Sequence, residues 1–517
     1  MADGLLNKAS IILTPTGNKA GTLYNVAPIE APYEDFDFAR ASVASRVNSS
    51  GLVEMVGRTL GSELVLNQDF SDWSLGAGWS VVSNRLYFDT DIGSGTTSSP
   101  NILEIAKTYK ITFDVNITTG VLRFESGEGD NFLIDSTYTS VTHYFVADLF
   151  ALVFRRNETP TEGYITNVSV KEVIDTNNIP RIRYDSNGDN GHILLEPSST
   201  NLVTYSEDFS QSIWINTYTL TPNSIISPDG SLNAYTITLP SVNGNLRTNV
   251  SVSSSTDYIF SFYAKRGTAS EMKYRVFDFT NLSDIVSKTS YYSQTDISNW
   301  VRIEVPFTTN ATTSEVGVYI DSDSQGNGDF YAWGAQLEEL SYATSYIPNH
   351  GTAVGVTRAA ETLTGSGNST LIDTTQGTIY LESKLGGTTG TKLVSIGGGT
   401  NNADPAITIG YTGQNMYMDI VDSGSLIATP SDRTITGINT SSYNKMAIKY
   451  TTTNVTVYLN GVKKHTETID FTPATNVLKA LYAGYGTGSK FEGEIKVLAV
   501  FDRALNDTEL GNLTNNS

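Results

Sequence analysis

ELVLNQDFSDW, Glu63 to Trp73, returns in altered form as NLVTYSEDFSQSIW, Asn201 to Trp214. Each phrase opens a stretch of module length. Each stretch closes on a matching apolar strand: GYITNVSVKEV from Gly163, and FYAWGAQLEEL from Phe330. Internal self-similarity sets architecture before any single residue does, so two copies of one β-module are expected.

The segments between these markers carry the period-two alternation of half-buried strands. YKITFDVNI and VLRFESG show it in the first copy, and MKYRVFDF, WVRIEVPFTT and VGVYIDS in the second. HYFVADLFALVFRR, from His143, is more continuously apolar and reads as a pair of core strands in preference to a helix. Further on, KMAIKYTTTNVTVYLNGVKKHTETI sets two alternating runs around Asn460-Gly461. That dipeptide accepts the positive φ angles of a type I′ hairpin turn. At the end, NDTELGNLT predicts a short helical turn with Leu510 and Leu513 on one face.

The predicted fold is therefore all-β, with three jelly-roll or β-sandwich modules in series after an extended N-terminal segment. The boundaries are 1–61 for that segment, 62–174 for an inserted sandwich, 175–200 for a turn-rich connector, 201–348 for a second sandwich, 349–370 for a linker and 371–517 for a third β-unit. Residues 1–61 show one short apolar run, Ile11–Leu13, and prolines at 15, 28 and 32 that break long elements. A segment unable to bury its own apolar face commonly docks on another chain.

Composition narrows the function classes. Of 517 residues, 39% are hydrophobic and only 17% charged, against about 25% charged in typical domains. A net charge of −21 opposes binding to phosphate backbones, so no nucleic-acid partner is expected. No apolar run approaches a membrane span, so no membrane insertion is expected. The absence of cysteine excludes disulfides and thiolate chemistry. Met1-Ala2-Asp3-Gly4 lacks the basic and apolar regions of a signal peptide, which suggests synthesis in a cytoplasm and release by lysis.

Catalytic signals are weak. His143, His192, His350 and His465 are scattered, and no HExxH, GxSxG or GxxxxGK[ST] pattern occurs. No enzyme activity is expected. Trp73 and Trp214 follow the DFS phrase in loop-like openings and are the candidate glycan-stacking residues, because flat aromatic faces suit the apolar faces of sugars; packing at the module edge is the favoured alternative for both. Trp79, Trp300 and Trp333 read as core. No cofactor is called for beyond a candidate structural calcium ion. DSDSQGNGD places Asp321, Asp323, Gln325, Asn327 and Asp329 at the alternate positions of an EF-hand loop, but Ala332 stands where the bidentate Glu belongs, and a plain hairpin loop is the competing reading. YDSNGDNG (Asp185, Asn187, Asp189) and NQDFSDW (Asn67, Asp69, Asp72) are weaker versions.

Longer phrases carry a resemblance. FARASVASRVNSSGLVE (from Phe38), IPRIRYDSNGDNGHILLEPSSTNLVTYSEDFS (from Ile179), FYAWGAQLEELSYATSYIP (from Phe330) and VTRAAETLTGSG (from Val356) together resemble tailed-bacteriophage virion structural proteins of the head-fibre or tail-fibre type. These carry carbohydrate-binding-like sandwiches. The stretch from Tyr443 through FEGEIKVLAVFDRALNDTELGNLT resembles the concanavalin A/laminin-G-like domain that often ends them. The resemblance implies a non-enzymatic virion surface protein, a head fibre or capsid decoration. It implies attachment to capsid or tail proteins through residues 1–61, homo-oligomerisation with a trimer favoured, and weak multivalent binding of host-surface or environmental glycans. A tail fibre that governs adsorption and a polysaccharide depolymerase are the alternatives it leaves open. In such proteins RVNSSGLVE runs almost directly into IPRIRY, so residues 62–174 read as an insertion.

Overall fold

A computed structural model describes residues 2–27, 35–89, 95–125, 131–157, 160–240, 244–324, 326–387, 389–397, 405–422, 424–428, 435–440, 442–485 and 489–515. Gln325, Pro28 and Pro32 lie outside them. The chain divides into two compact units: residues 1–57, 176–198 and 358–517 form the first, and residues 58–175 and 199–357 the second. The all-β sandwich expectation holds in both.

The first unit stacks two antiparallel sheets. The larger runs Ile182–Arg183, His192–Leu195, Gly493–Phe501, Gln376–Leu385, Asn444–Thr451, Asn454–Leu459, Val462–Thr468, with Ile11–Leu13 also paired to Gly493–Phe501. The smaller runs Ser425–Ala428, Asn415–Asp422, Ala406–Thr412, Thr391–Gly397, Leu481–Tyr482. Ile379, Leu381, Ile448 and Val457 from one sheet meet Val394, Ile407, Ile409 and Met418 from the other. Gln376–Leu385 is buried along most of its length because its second face is covered too. Tyr380, Ala447 and Phe501 pack there under Ile12 and the C-terminal helix Asp507–Thr514. That helix forms as expected. Asn506 caps it in a reciprocal box with Glu509, and Leu510 and Leu513 are buried.

Two expectations are corrected here. Residues 1–61 are not a free-standing segment, because Ile11, Ile12 and Leu13 pair in register with Val500, Ala499 and Leu498 and are buried. The apolar run finds its partner in its own chain. Residues 175–200 are not merely a connector either, since they contribute two strands to the larger sheet. The chain leaves the unit after Gly57 and returns at Thr176, whose N–H donates to the Gly57 carbonyl at 2.6 Å. It leaves again after Ser198 and returns at Arg358, whose carbonyl accepts from the Ser198 hydroxyl at 3.2 Å. Both sandwiches of the second unit are thus insertions into the first, where the sequence suggested only one.

A buried ionic cluster sits on these crossing segments. Glu361 accepts from Arg40 Nη1 at 2.7 Å, from Arg181 Nε at 2.8 Å and Nη2 at 2.5 Å, and from the Glu196 N–H at 2.9 Å. Glu196 in turn accepts from Arg181 at 2.8 Å and Arg358 at 2.6 Å. Burial lowers the Arg40 pKa, and Glu361 only partly offsets that. For Arg181 burial is outweighed by Glu361 and Glu196, and its pKa rises. These five residues belong to the FARAS, IPRIRY, LLEP and VTRAAET phrases.

The second unit contains two sandwiches that share one ten-strand topology, the first with an added eleventh strand. In the first, the sheet orders are Tyr138–Val146, Thr108–Thr119, Glu162–Asp175, Arg85–Phe88, Trp79–Val82, with Arg58–Glu63 added on Glu162–Asp175, and Asn131–Ile134, Leu122–Glu125, Val153–Arg156, Thr96–Ser98, Ser74–Leu75. In the second they are Val301–Thr308, Asp257–Arg266, Gly328–Glu338, Leu232–Leu239, Thr219–Ile226, and Ser283–Ser290, Lys273–Asp278, Glu315–Ser322, Asn245–Ser251, Trp214–Asn216. Strand for strand the chain order is the same, so the repeated phrase marks a repeated fold. HYFVADLFALVFRR contributes to two strands, as expected, from different sheets.

Candidate functional site

The residues singled out from the sequence are occupied by folding. Trp73 and Trp214 are buried and present no face to a sugar. Trp73 lies edge-on to Phe70 at 5.4 Å and stacks on Phe154. Trp214 lies edge-on to Phe209 at 4.8 Å, and its indole N–H donates to Tyr205 O. In both copies the phrase's aspartate, Asp69 or Asp208, accepts from the N–H and hydroxyl of the serine two residues on. The DFS phrase is therefore a turn that drives a Phe/Trp pair into each core. Trp79 and Trp333 are core as expected, and Trp300 is half-buried with its N–H donating to Ile226 O.

The calcium candidates separate in the same way. Asp321 is buried and accepts from Tyr218 Oη and Ser324 Oγ at 2.6 Å and from the Lys273 N–H at 2.8 Å. Burial pushes its pKa up to about 6 against these bonds. Asp323 pairs with Lys288, and Asp329 accepts from Thr238 Oγ1. Asn327 takes a left-handed turn conformation with φ of 37°. Asp185 is held by two backbone N–H groups and Asn190, and Asp72 by Asn67. Among the described residues no group of three or more His, Asp or Glu is placed to hold a metal ion. The carboxylates close loops rather than converge.

A site that sequence reasoning missed lies in the first unit. A polar cleft of about 290 Å³ is lined by the segment Ser369–Thr375, by Pro473, Thr475 and Asn476, and by Asp502. Its floor is rigid for identifiable reasons. Asn368 Oδ1 caps Thr370, Leu371 and Ile372 are buried in the core, and Ser10 Oγ donates to Leu371 O at 2.5 Å. Tyr450 Oη donates to Asp373 O at 2.6 Å, and Asp373 Oδ1 accepts from the Thr375 N–H and hydroxyl. Thr374 is buried, and its hydroxyl has no hydrogen-bond partner among the described residues. An unsatisfied buried hydroxyl costs on the order of 1–3 kcal/mol, so this one is a standing acceptor and donor for a ligand or a water. Hydroxyls, an amide and carboxylates around one cleft match the hydrogen-bonding needs of a polyhydroxylated molecule. Serines, threonines and aspartates are so common in this chain that no signal distinguished these.

Comparisons bear on the fold of this unit. Residues 359–511 match the model of the concanavalin A-like lectin/glucanases superfamily, and with its two stacked sheets this unit is a concanavalin A-like jelly-roll domain. No curated protein matches the chain. Among solved structures, the chain is similar to CBM40 of the Ruminococcus gnavus IT-sialidase bound to alpha2,3 sialyllactose, at 22% identity over 29% of this chain and 94% of that one, with a TM-score of 0.24. It is similar to the CBM22-1-CBM22-2 tandem of Paenibacillus barcinonensis Xyn10C, at 10% identity over 54% and 98%, TM-score 0.21. It is also similar to the enzymatically active domain of bacteriophage CBA120 tailspike protein 4, at 13% identity over 26% and 21%, TM-score 0.21.

Proposed function

We propose that this chain is a non-enzymatic, glycan-binding protein of a bacteriophage virion surface, a head fibre or capsid decoration, and that the cleft beside Thr374 receives the glycan. The observation that carries the reading is the conjunction of a lectin-type domain with a cleft containing an unpartnered, buried hydroxyl. The cleft offers polar groups and no aromatic platform, which fits weak single-site binding strengthened by many copies on one particle. With Ile11–Leu13 committed to the sheet, attachment to capsid proteins falls to the surface of the first unit and not to a free N-terminal tail. Homo-oligomerisation, as a trimer, supplies multivalency.

A glycan array with the full chain tests the binding. Thr374→Val, which keeps shape and removes the hydroxyl, is expected to weaken capture of bound glycans about tenfold, as is Asn476→Ala. Capture unchanged by both substitutions, or no glycan bound by the oligomer, refutes the reading. Release of reducing ends from host polysaccharide, abolished in Asp502→Asn, would replace it with a depolymerase. Antibody labelling of virions places the protein on head or tail.

A further inference from the structure

A second cleft lies within the second unit, where strand Tyr138–Val146 of one sandwich meets strand Leu232–Leu239 of the other. It is a narrow cleft of about 30 Å³, much smaller than the cleft beside Thr374. Both sandwiches build it. Tyr144 from the first stacks on His350 from the second, ring centres 5.4 Å apart and nearly parallel. Phe132 stacks on His143 at 4.3 Å. The polar lining is unusual for an interior joint. Asn223 and Asn233 are 2% and 7% exposed, and Asn223 Nδ2 and Asn233 Oδ1 have no partner among the described residues. One buried donor and one buried acceptor thus line the same cleft. Leaving both unmade would cost several kcal/mol, and native proteins rarely leave such groups without a water or ligand.

We propose that this joint is a second binding site, for one neutral sugar residue whose hydroxyl edge hydrogen-bonds Asn223 and Asn233. An adjacent pair of hydroxyls satisfies a donor and an acceptor together. Tyr144 and His350, and Phe132 and His143, already stack on one another, so the site would hold the sugar by hydrogen bonds and not by an aromatic platform. Charge selects against acidic sugars. Asp208 and Asp229 stand close to Glu207 of the lining, and Arg58 is the cation that bears on it. Asp208 is already satisfied by Tyr235, Ser210 and Gln211, so it contributes charge and not contacts. Burial first, and repulsion from Asp229 second, push the Glu207 pKa up to about 8 against the hydrogen bond from Tyr346. At neutral pH Glu207 is therefore a protonated neighbour to the ligand, and above pH 8 it adds a negative charge. His143 and His350 also face the cleft.

The site is independent of the cleft beside Thr374, and one experiment separates the two. Saturation-transfer NMR on the full chain uses free galactose, glucose, mannose and N-acetylglucosamine, with glucuronic acid as the acidic probe. At least one neutral sugar is expected to bind, and glucuronic acid is not. Asn223→Ala and Asn233→Ala should each weaken binding tenfold or more, while Thr374→Val leaves it unchanged. Raising the pH from 7 to 9 should weaken binding to the wild type but not to Glu207→Gln, a readout that survives if the asparagine variants misfold. No neutral sugar bound at millimolar concentration, equal binding by wild type and folded asparagine variants, or pH responses alike in wild type and Glu207→Gln would each overturn the proposal. Binding lost in Thr374→Val but kept in the asparagine variants would assign the sugar to the first cleft and overturn it as well.

Discussion

Replacing Glu361 by Gln is the sharpest test of how the first unit is held together. The carboxylate is fully buried and takes two guanidinium groups and one backbone N–H. Without its charge, Arg40 loses its ion pair, while Arg181 and Arg358 keep Glu196. Removing one partner of a buried ionic group leaves uncompensated charge in a low-dielectric site and costs about 3–5 kcal/mol. At about 2–4 °C per kcal/mol for a unit of this size, the first unit's melting transition should fall by about 6–20 °C. Differential scanning calorimetry on the full chain reads this directly, and the second unit's transition serves as the internal control. Added salt should restore little, since buried pairs are poorly screened. The apolar triple variant Arg40→Met, Arg181→Met, Glu361→Met keeps the Glu196–Arg358 pair and should recover most of the loss, because well-packed apolar replacements of buried ions are often neutral or better. A drop under 2 °C for Glu361→Gln, or a triple variant no more stable than the single one, would refute the account.

Other outcomes follow from single sites. Trp73→Ala and Trp214→Ala should each destabilise their own sandwich by about 3–5 kcal/mol in urea unfolding, and leave glycan capture by the folded remainder unchanged. Burial works against ionisation of Asp278, but hydrogen bonds from Asn281, Thr313 and Asn310 hold its pKa down at about 2. Its folded value is therefore below its unfolded one, so this stabilisation is present above pH 4 and lost as pH falls through 2; an acid titration of Asp278→Asn should lack that component. EDTA should not change either melting transition, because each candidate calcium carboxylate is satisfied by protein donors.

Much of the fold was legible because alternation and turn chemistry are local. WVRIEVPFTT shows its period-two pattern in the burial of Val301–Thr308, where Ile303, Val305 and Phe307 point inward. Asn460 and Gly461 take φ of 48° and 80° between two paired strands, as the dipeptide required. What was not legible depends on partners remote in sequence. Ile11–Leu13 is too short to declare a sheet, and nothing near it names Gly493–Phe501. Nothing in the sequence marks Arg181 or Glu361 as buried, since burial of an ion is decided by a counter-ion that only the fold brings close. Of the two readings of Trp73 and Trp214 the structure supports packing, because the loop-like openings fold into turns that push each ring inward. Neither cleft has a motif, because hydroxyls and amides acquire meaning only when packing strips them of partners.

The pairing of Ile11–Leu13 with Gly493–Phe501 also dictates when this protein can finish folding. Ser10 donates to a carbonyl 490 residues away, so this strand waits for one made 490 residues later. At about 5–20 residues per second the delay is roughly 25 to 100 s. Meanwhile each inserted sandwich can fold as soon as it emerges. With its ends brought together, each shortens the effective loop whose closure the larger sheet must still complete. A chain cut short before Gly493 would carry two finished sandwiches on a host domain with its central strand missing and the faces of Ile11 and Ile379 uncovered. Synthesis that stops early therefore leaves a distinctive, sticky product, and only complete chains close the sheet.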